Sequence, residues 1–134
     1  MESNHLKPVI VTGAVITVSS SRKPETDTSG KTLIDLLSAD GIEVTHYAIV
    51  PDDLERIRSE VHAAVSRATC VIVTGGTGLT PDDVTIEAVA PLLEKTIDGF
   101  GELFRLKSYE EIGTAAILSR AIAGGVDDEI IFYI

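Results

Sequence analysis

Cys70-Val71-Ile72-Val73-Thr74-Gly75-Gly76-Thr77-Gly78 is the stretch on which the reading of this chain turns. Four apolar residues in a row, three of them β-branched, describe a strand with no polar face, as expected of a strand covered on both sides of a parallel sheet. Three glycines among the four residues Gly75 to Gly78 let backbone N–H groups crowd close to a ligand without a Cβ in the way. A loop leaving the carboxyl end of a buried strand stands where open α/β sheets bind ligands. A phosphate or pyrophosphate is the natural guest for such a nest of donors. The Lys-Ser/Thr pair of a P-loop is absent, and so is the spacing of a dinucleotide fingerprint. A tight turn that binds nothing uses the same glycines.

Outward from this stretch, strands and helices alternate. Val9 to Val18 is a second β-branched run apolar on both faces, and Ser19 to Ser29, rich in Ser, Thr and Pro, reads as a loop. Asp27 or Thr28 caps a helix through Ala39, with Leu33, Leu36 and Leu37 on one face and Asp40-Gly41 at its end. Ile42 to Val50 is a strand, and Pro51-Asp52-Asp53 opens a helix with acid where the dipole favours it. In that helix Leu54, Ile57, Val61, Val65 and Ala68 recur at steps of three and four. Val84 to Leu93 reads as a helix broken at Pro91. Gly99 to Ile112 reads as another, with Phe100, Leu103, Phe104 and Leu106 as core candidates. Thr114 to Ala123 fits a strand or a helix, and Asp128 to Ile134 is a last strand. Such alternation implies an α/β fold with a largely parallel sheet and right-handed crossovers. Residues 1–8 read as a flexible lead and residues 9–134 as one domain.

Composition limits the functions available. With 44% apolar and 24% charged residues, the chain has the material of a packed core, so disorder is excluded as its main state. Its net charge of −10 repels nucleic-acid backbones and anionic membrane surfaces, though not a small phosphorylated ligand held by local dipoles. No apolar run approaches the ~18 residues of a membrane span, and residues 1–7 carry no hydrophobic leader. A single cysteine, Cys70, fits a reducing, cytoplasmic setting. With no Trp and 4% aromatics, stacking platforms for single-stranded nucleic acid are scarce.

Two acids stand out. Asp82 and Asp83 follow Thr80-Pro81, an arrangement that reads either as a helix cap or as a carboxylate set beside the glycine loop for Mg²⁺. Asp52 likewise follows a strand and precedes a helix, so two acids could flank one ligand at one sheet edge. Ser19, Ser20 and Ser21 form either a plain loop or a set of ligand hydrogen bonds at that edge. His5, His46 and His62 are isolated and show no metal-ligand spacing. His62 falls on the polar side of its helix, and Cys70 reads as a small buried apolar residue.

Together these residues resemble the molybdopterin-binding family that includes the MoaB and MogA proteins, from about Val9 to Phe132. The most specific piece is the run from Thr74-Gly75-Gly76-Thr77-Gly78-Leu79 through Thr80-Pro81-Asp82-Asp83-Val84-Thr85. Supporting pieces are Asp27-Thr28-Ser29-Gly30, Val50-Pro51-Asp52-Asp53, Gly99-Phe100-Gly101-Glu102, Ser108-Tyr109-Glu110-Glu111-Ile112-Gly113 and Ala116-Ile117-Leu118-Ser119-Arg120-Ala121. The resemblance implies a three-layer α/β/α fold with a mostly parallel central sheet, assembled as a homotrimer or homohexamer. It implies adenylylation of molybdopterin by ATP with Mg²⁺ and release of pyrophosphate, and a possible downstream partner for molybdenum insertion. The family's catalytic and metal-binding acids map onto Asp52 and Asp83. Gly75, Gly76, Thr77, Gly78, Ser19 and Ser119 map onto substrate and phosphate contacts.

Two departures accompany the resemblance. Ser20 stands where the family usually carries an acid, which weakens the expectation of a metal or hydrogen-bond role there. The family pattern also runs on beyond the last strand into a Pro-Gly loop and a helix, whereas this sequence ends at Ile134. The alternatives are a non-catalytic binding scaffold of the same family, a CinA-type nucleotide-processing domain sharing the TGG loop and Asp82-Asp83, and a flavodoxin-like cofactor binder.

Overall fold

The computed structural model describes residues 10–76, 79–97, 99–103, 106, 110, 122–126 and 129–133. A six-stranded sheet forms its centre, from β1 (Thr12–Val18), β2 (Glu43–Val50), β3 (Cys70–Thr74), β4 (Lys95–Thr96), β5 (Ile122–Val126) and β6 (Glu129–Tyr133). The spatial order is β2-β1-β3-β6-β5-β4. Strands β2, β1, β3 and β6 are parallel, and β5 runs antiparallel to both β6 and β4. The helices are α1 (Thr28–Ala39), α2 (Leu54–Val65) and the short α3 (Thr85–Val89).

Every residue of β1 from Gly13 to Val18 is buried, because alternate side chains enter layers on opposite faces of the sheet. Ala14, Ile16 and Val18 join Val71 and Val73 of β3 in one core with Ile57, Val61 and Ala64 of α2 and Ala88 and Val89 of α3. Thr17, on the other face, meets the start of α1, where Gly30 approaches so closely that a Cβ there would overlap the Asp27 carboxylate. The expected three-layer α/β/α architecture around a mostly parallel sheet is present.

Several expected limits shift. The first strand starts at Thr12 rather than Val9, and Ile10 and Val11 are exposed. Their pairing partners run out there: β2 begins opposite Thr12 and β3 opposite Gly13. Thr12 and Thr69 close that edge by exchanging hydrogen bonds between their hydroxyl and amide groups. Helix α1 spans the expected residues with Asp27 as its cap, and Leu36 is exposed. The helix expected over Val84 to Leu93 is divided into α3 and a 3-10 turn over Ala90–Leu92, because Pro91 cannot donate to the preceding turn. Residues 99–103, 106 and 110 are helical, yet Leu103 and Leu106 are exposed rather than core. Cys70 is half-buried, and burial raises the pKa of its thiol above the ordinary value. His46 is not isolated: its Nε2 lies 2.6 Å from Glu60 and its Nδ1 accepts from Arg67 at 3.3 Å. His62 is exposed, as its place in the helix pattern predicts. No helix among the described residues is long and apolar enough to cross a membrane.

Candidate functional site

The strand order creates the site. The chain goes from β1 to one neighbour, β2, and then to the opposite neighbour, β3, so connections leave the carboxyl ends of β1 and β3 in opposite directions and open a crevice. Register aligns the three ends, with Val18 opposite Val50 and Thr17 opposite Thr74. Ser19-Ser20, Pro51-Asp52 and Gly75-Gly76 therefore emerge side by side.

The glycine loop is held at that edge from both sides. Gly75 and Gly76 have φ of 94° and 66°, a region that disfavours residues with a Cβ. A Cβ on Gly75 would overlap the carbonyl oxygen of Val18, and one on Gly76 would overlap Thr85 Oγ1 and lie 3.3 Å from Asp52 Oδ1. Thr85, fully buried at the start of α3, clamps the loop: its hydroxyl donates to Gly75 O at 2.6 Å and its N–H to Gly76 O at 2.9 Å.

Adjacent acids divide their work. Asp53 caps α2 by accepting from Arg56 N at 3.0 Å. Asp52 turns the other way, toward the glycine loop. Its Oδ2 accepts from Ser20 Oγ at 2.8 Å, its own N–H donates back to that hydroxyl at 3.1 Å, and its Oδ1 faces Gly76. The weakened role expected at Ser20 is corrected: a neutral hydroxyl makes the hydrogen bond there.

Asp83 stands on the far limb of the loop, two residues before Thr85. Its Oδ2 accepts from Thr80 N at 2.9 Å and from Thr80 Oγ1 at 2.6 Å, and its N–H donates to Thr80 O at 2.9 Å. The cap reading of Thr80-Pro81 is thereby overturned. The four residues close a turn, and α3 starts later, at Thr85, with Val84 at its cap position. Asp83 lines a hollow of about 270 Å³ with Leu79, Pro81 and Glu87, while Asp52 lies beside Gly76, so the two acids border different parts of the same loop.

A larger cleft of about 480 Å³ runs from Ser19 and Ser20 past Arg22 and Lys23 to Tyr47 and Pro51. Two cations on its rim offset the acidic character of the chain locally. Ser19 serves the backbone there: its N–H donates to Val50 O and its Oγ accepts from Ser21 N and Arg22 N. Beneath the cleft lies Asp27, 2% exposed, which accepts from Thr17 Oγ1 at 2.7 Å, Tyr47 OH at 2.5 Å and Gly30 N at 3.1 Å. Burial alone would raise its pKa, but the hydrogen bonds and the nearby Arg22 outweigh burial and hold the carboxyl below its ordinary range. The same burial, and then Asp27 itself, push the Tyr47 hydroxyl up to about 12.

The structure thus gathers Ser19, Asp52, Gly75 and Gly76 at one edge and attaches Asp83 to the adjoining limb. Thr77, Gly78 and Ser119 lie outside the described residues. Sequence reasoning missed Thr85 and Tyr47 as supports. A hydroxyl beginning an apolar helix was the available signal for Thr85, and a Tyr in a strand with loose alternation was the signal for Tyr47.

Comparison with known proteins agrees with this geometry. Residues 14–133 match the family described as a probable molybdopterin binding domain. Molybdenum cofactor biosynthesis protein B of Staphylococcus carnosus is 52% identical over 123 residues, 89% of this chain and 72% of that protein. A crystal structure of a molybdenum cofactor biosynthesis protein B superposes with a TM-score of 0.90 at 47% identity, over 96% of this chain and 81% of that one. The tungsten cofactor synthesizing protein MoaB from Pyrococcus furiosus follows with a TM-score of 0.84 at 40% identity, over 96% and 83%. The chain belongs to the molybdopterin-binding domain family, among the MoaB proteins of molybdenum cofactor biosynthesis.

Proposed function

We propose that this protein is a molybdopterin adenylyltransferase, joining AMP from Mg-ATP to molybdopterin and releasing pyrophosphate. The observation that carries the reading is Asp52, a carboxylate oriented by Ser20 so that Oδ1 faces a glycine loop too tight for any side chain. Phosphoryl-type transfer asks mainly for positioning and charge neutralisation. In the reaction, an oxygen of molybdopterin's terminal phosphate attacks the α-phosphorus of ATP, and the bond to the pyrophosphate oxygen breaks. The loop around Gly75 and Gly76 would present backbone N–H groups to a phosphate. Arg22 and Lys23 would offset the charge of an anionic substrate in the cleft.

Asp52 suits magnesium, which takes one or two carboxylates and completes its shell with phosphate oxygens and water. Asp52 and Asp83 would hold it, and it would supply charge neutralisation at the transferred group. Exposed Leu36, Leu103 and Leu106 offer apolar surface for the homotrimer or homohexamer that accompanies this reading.

ATP-dependent pyrophosphate release with molybdopterin tests the proposal. The wild type is expected to turn over and Asp83→Asn to lose turnover while remaining folded; unchanged turnover in the variant refutes the role of Asp83. One observation favours a second reading, a binding scaffold without turnover: Asp83 Oδ2 is already engaged twice by Thr80. A wild type that binds molybdopterin and ATP yet releases no pyrophosphate selects it.

A further inference from the structure

We propose that Ser20 is the positioning residue for Asp52, fixing one rotamer of its carboxylate so that Oδ1 is presented to a divalent cation at the glycine loop. The inference deepens the reading of Asp52 given above and rests on it. Ser20 and Asp52 are 32 residues apart and follow different strands, yet they close a two-way contact: hydroxyl to Oδ2 at 2.8 Å and Asp52 N–H to the same hydroxyl at 3.1 Å.

A carboxylate on an exposed loop ordinarily samples several χ1 wells, and a single hydrogen bond can be kept while the side chain swings. Here the second bond ties the serine oxygen to the backbone of the residue it orients. Turning χ1 of Asp52 therefore breaks the bond to Oδ2 while the serine stays in place. With Oδ2 fixed, Oδ1 is left facing Gly76, where a Cβ would come within 3.3 Å of it.

The chemical type of the serine matters as much as its place. A second carboxylate at position 20 would stand within hydrogen-bond distance of the Asp52 carboxylate, and like charges that close destabilise each other without a cation. A neutral hydroxyl donates to the charged form and adds no charge. The other ionic groups close by in sequence do not take its place: the Asp53 carboxylate is turned to Arg56 N, and the Arg22 guanidinium donates to Thr26 O at 2.8 Å. Of the adjacent Asp52 and Asp53 carboxylates, the one turned to the glycine loop is thus held by a serine.

Ser20→Ala and Ser20→Thr in the full chain test the proposal by two readouts. Three-bond couplings to the Asp52 carboxyl carbon, measured on ligand-free protein, report its χ1. One rotamer is expected for wild type and Ser20→Thr, and averaged values for Ser20→Ala. Manganese titrated into protein saturated with a non-hydrolysable ATP analogue, followed by electron paramagnetic resonance, is expected to bind about 3- to 10-fold more weakly to Ser20→Ala, the worth of one hydrogen bond. Ser20→Thr is expected to restore it. A single Asp52 rotamer in Ser20→Ala overturns the proposal, and so does unchanged manganese affinity. If Ser20→Ala frees the rotamer and weakens manganese while the wild type releases no pyrophosphate, the positioning role stands and the adenylyltransferase reading alone fails.

Discussion

Replacing Asp27 by Asn separates the charge of that residue from its shape. The wild-type carboxylate is 2% exposed and receives three donors: Thr17 and Tyr47 on Oδ2, Gly30 N–H on Oδ1. An amide has one acceptor oxygen. Set toward Thr17 and Tyr47, it keeps both bonds in neutral form and points its NH₂ at the Gly30 N–H, so the cap of α1 is lost. Charge-assisted bonds are worth about 1.5–3 kcal/mol and neutral ones about 1, and a lost cap costs about 1. Relief of the buried charge offsets part of this. The net loss is about 2–3 kcal/mol, or roughly 6–12 °C in Tm for a domain of this size.

The sign of the pH dependence follows from the depressed pKa of Asp27 in the fold. Its stabilisation is fully present above the unfolded-state value near 3.8 and is lost as pH falls through the lower folded-state value. Melting curves by circular dichroism at a series of pH values, for wild type and variant, are expected to show the full gap at neutral pH and a gap that narrows below about pH 4. A gap under about 1 kcal/mol at neutral pH refutes the bond count, which rests on the charge-assisted values. A gap of constant size into acid refutes the assignment of the charge.

Further outcomes follow from the same contacts. Gly76→Ala is expected to cost about 1–3 kcal/mol, because it adds a Cβ at φ 66° against Thr85 Oγ1, and to weaken nucleotide binding; thermal melts and nucleotide titration check both. Asp52→Asn is expected to keep the fold and flatten the Mg²⁺ dependence of nucleotide binding; an unaltered Mg²⁺ titration counts against its role. For Tyr47, raised to about 12, the contribution to stability is present below pH 10 and is lost between about 10 and 12. Tyr47→Phe is expected to remove that alkaline decline, read by melts across the same window.

Much of the fold was legible locally. The strand that feeds the glycine loop, the spacing of Leu54, Ile57 and Val61, and the stop at Asp40-Gly41 are patterns within a dozen residues, and the structure keeps them. Misplaced limits have a common origin. Ile10 and Val11 have the composition of a strand but lie beyond the ends of β2 and β3, so pairing, not propensity, ended β1. Leu103 and Leu106 fit a buried face by period, which shows that a face is apolar without showing that anything in the same chain covers it. Thr80-Pro81 had the form of a cap, but the Asp83 carboxylate captured Thr80 first and made a turn.

The sequence by itself determined the alternation of strand and helix, the glycine loop and the two acids worth following, because backbone period and residue type are local properties. The tertiary structure decided which acid faces the loop. It set Ser20 against Asp52 across 32 positions, turned Asp53 away to a cap, and drew Asp27, Thr17 and Tyr47 into one buried contact. Those pairings depend on the order β2-β1-β3 and on the register that aligns Val18 with Val50. Hydrogen bonds act over about 3 Å, and only the assembled sheet brings groups so distant in the chain within that reach.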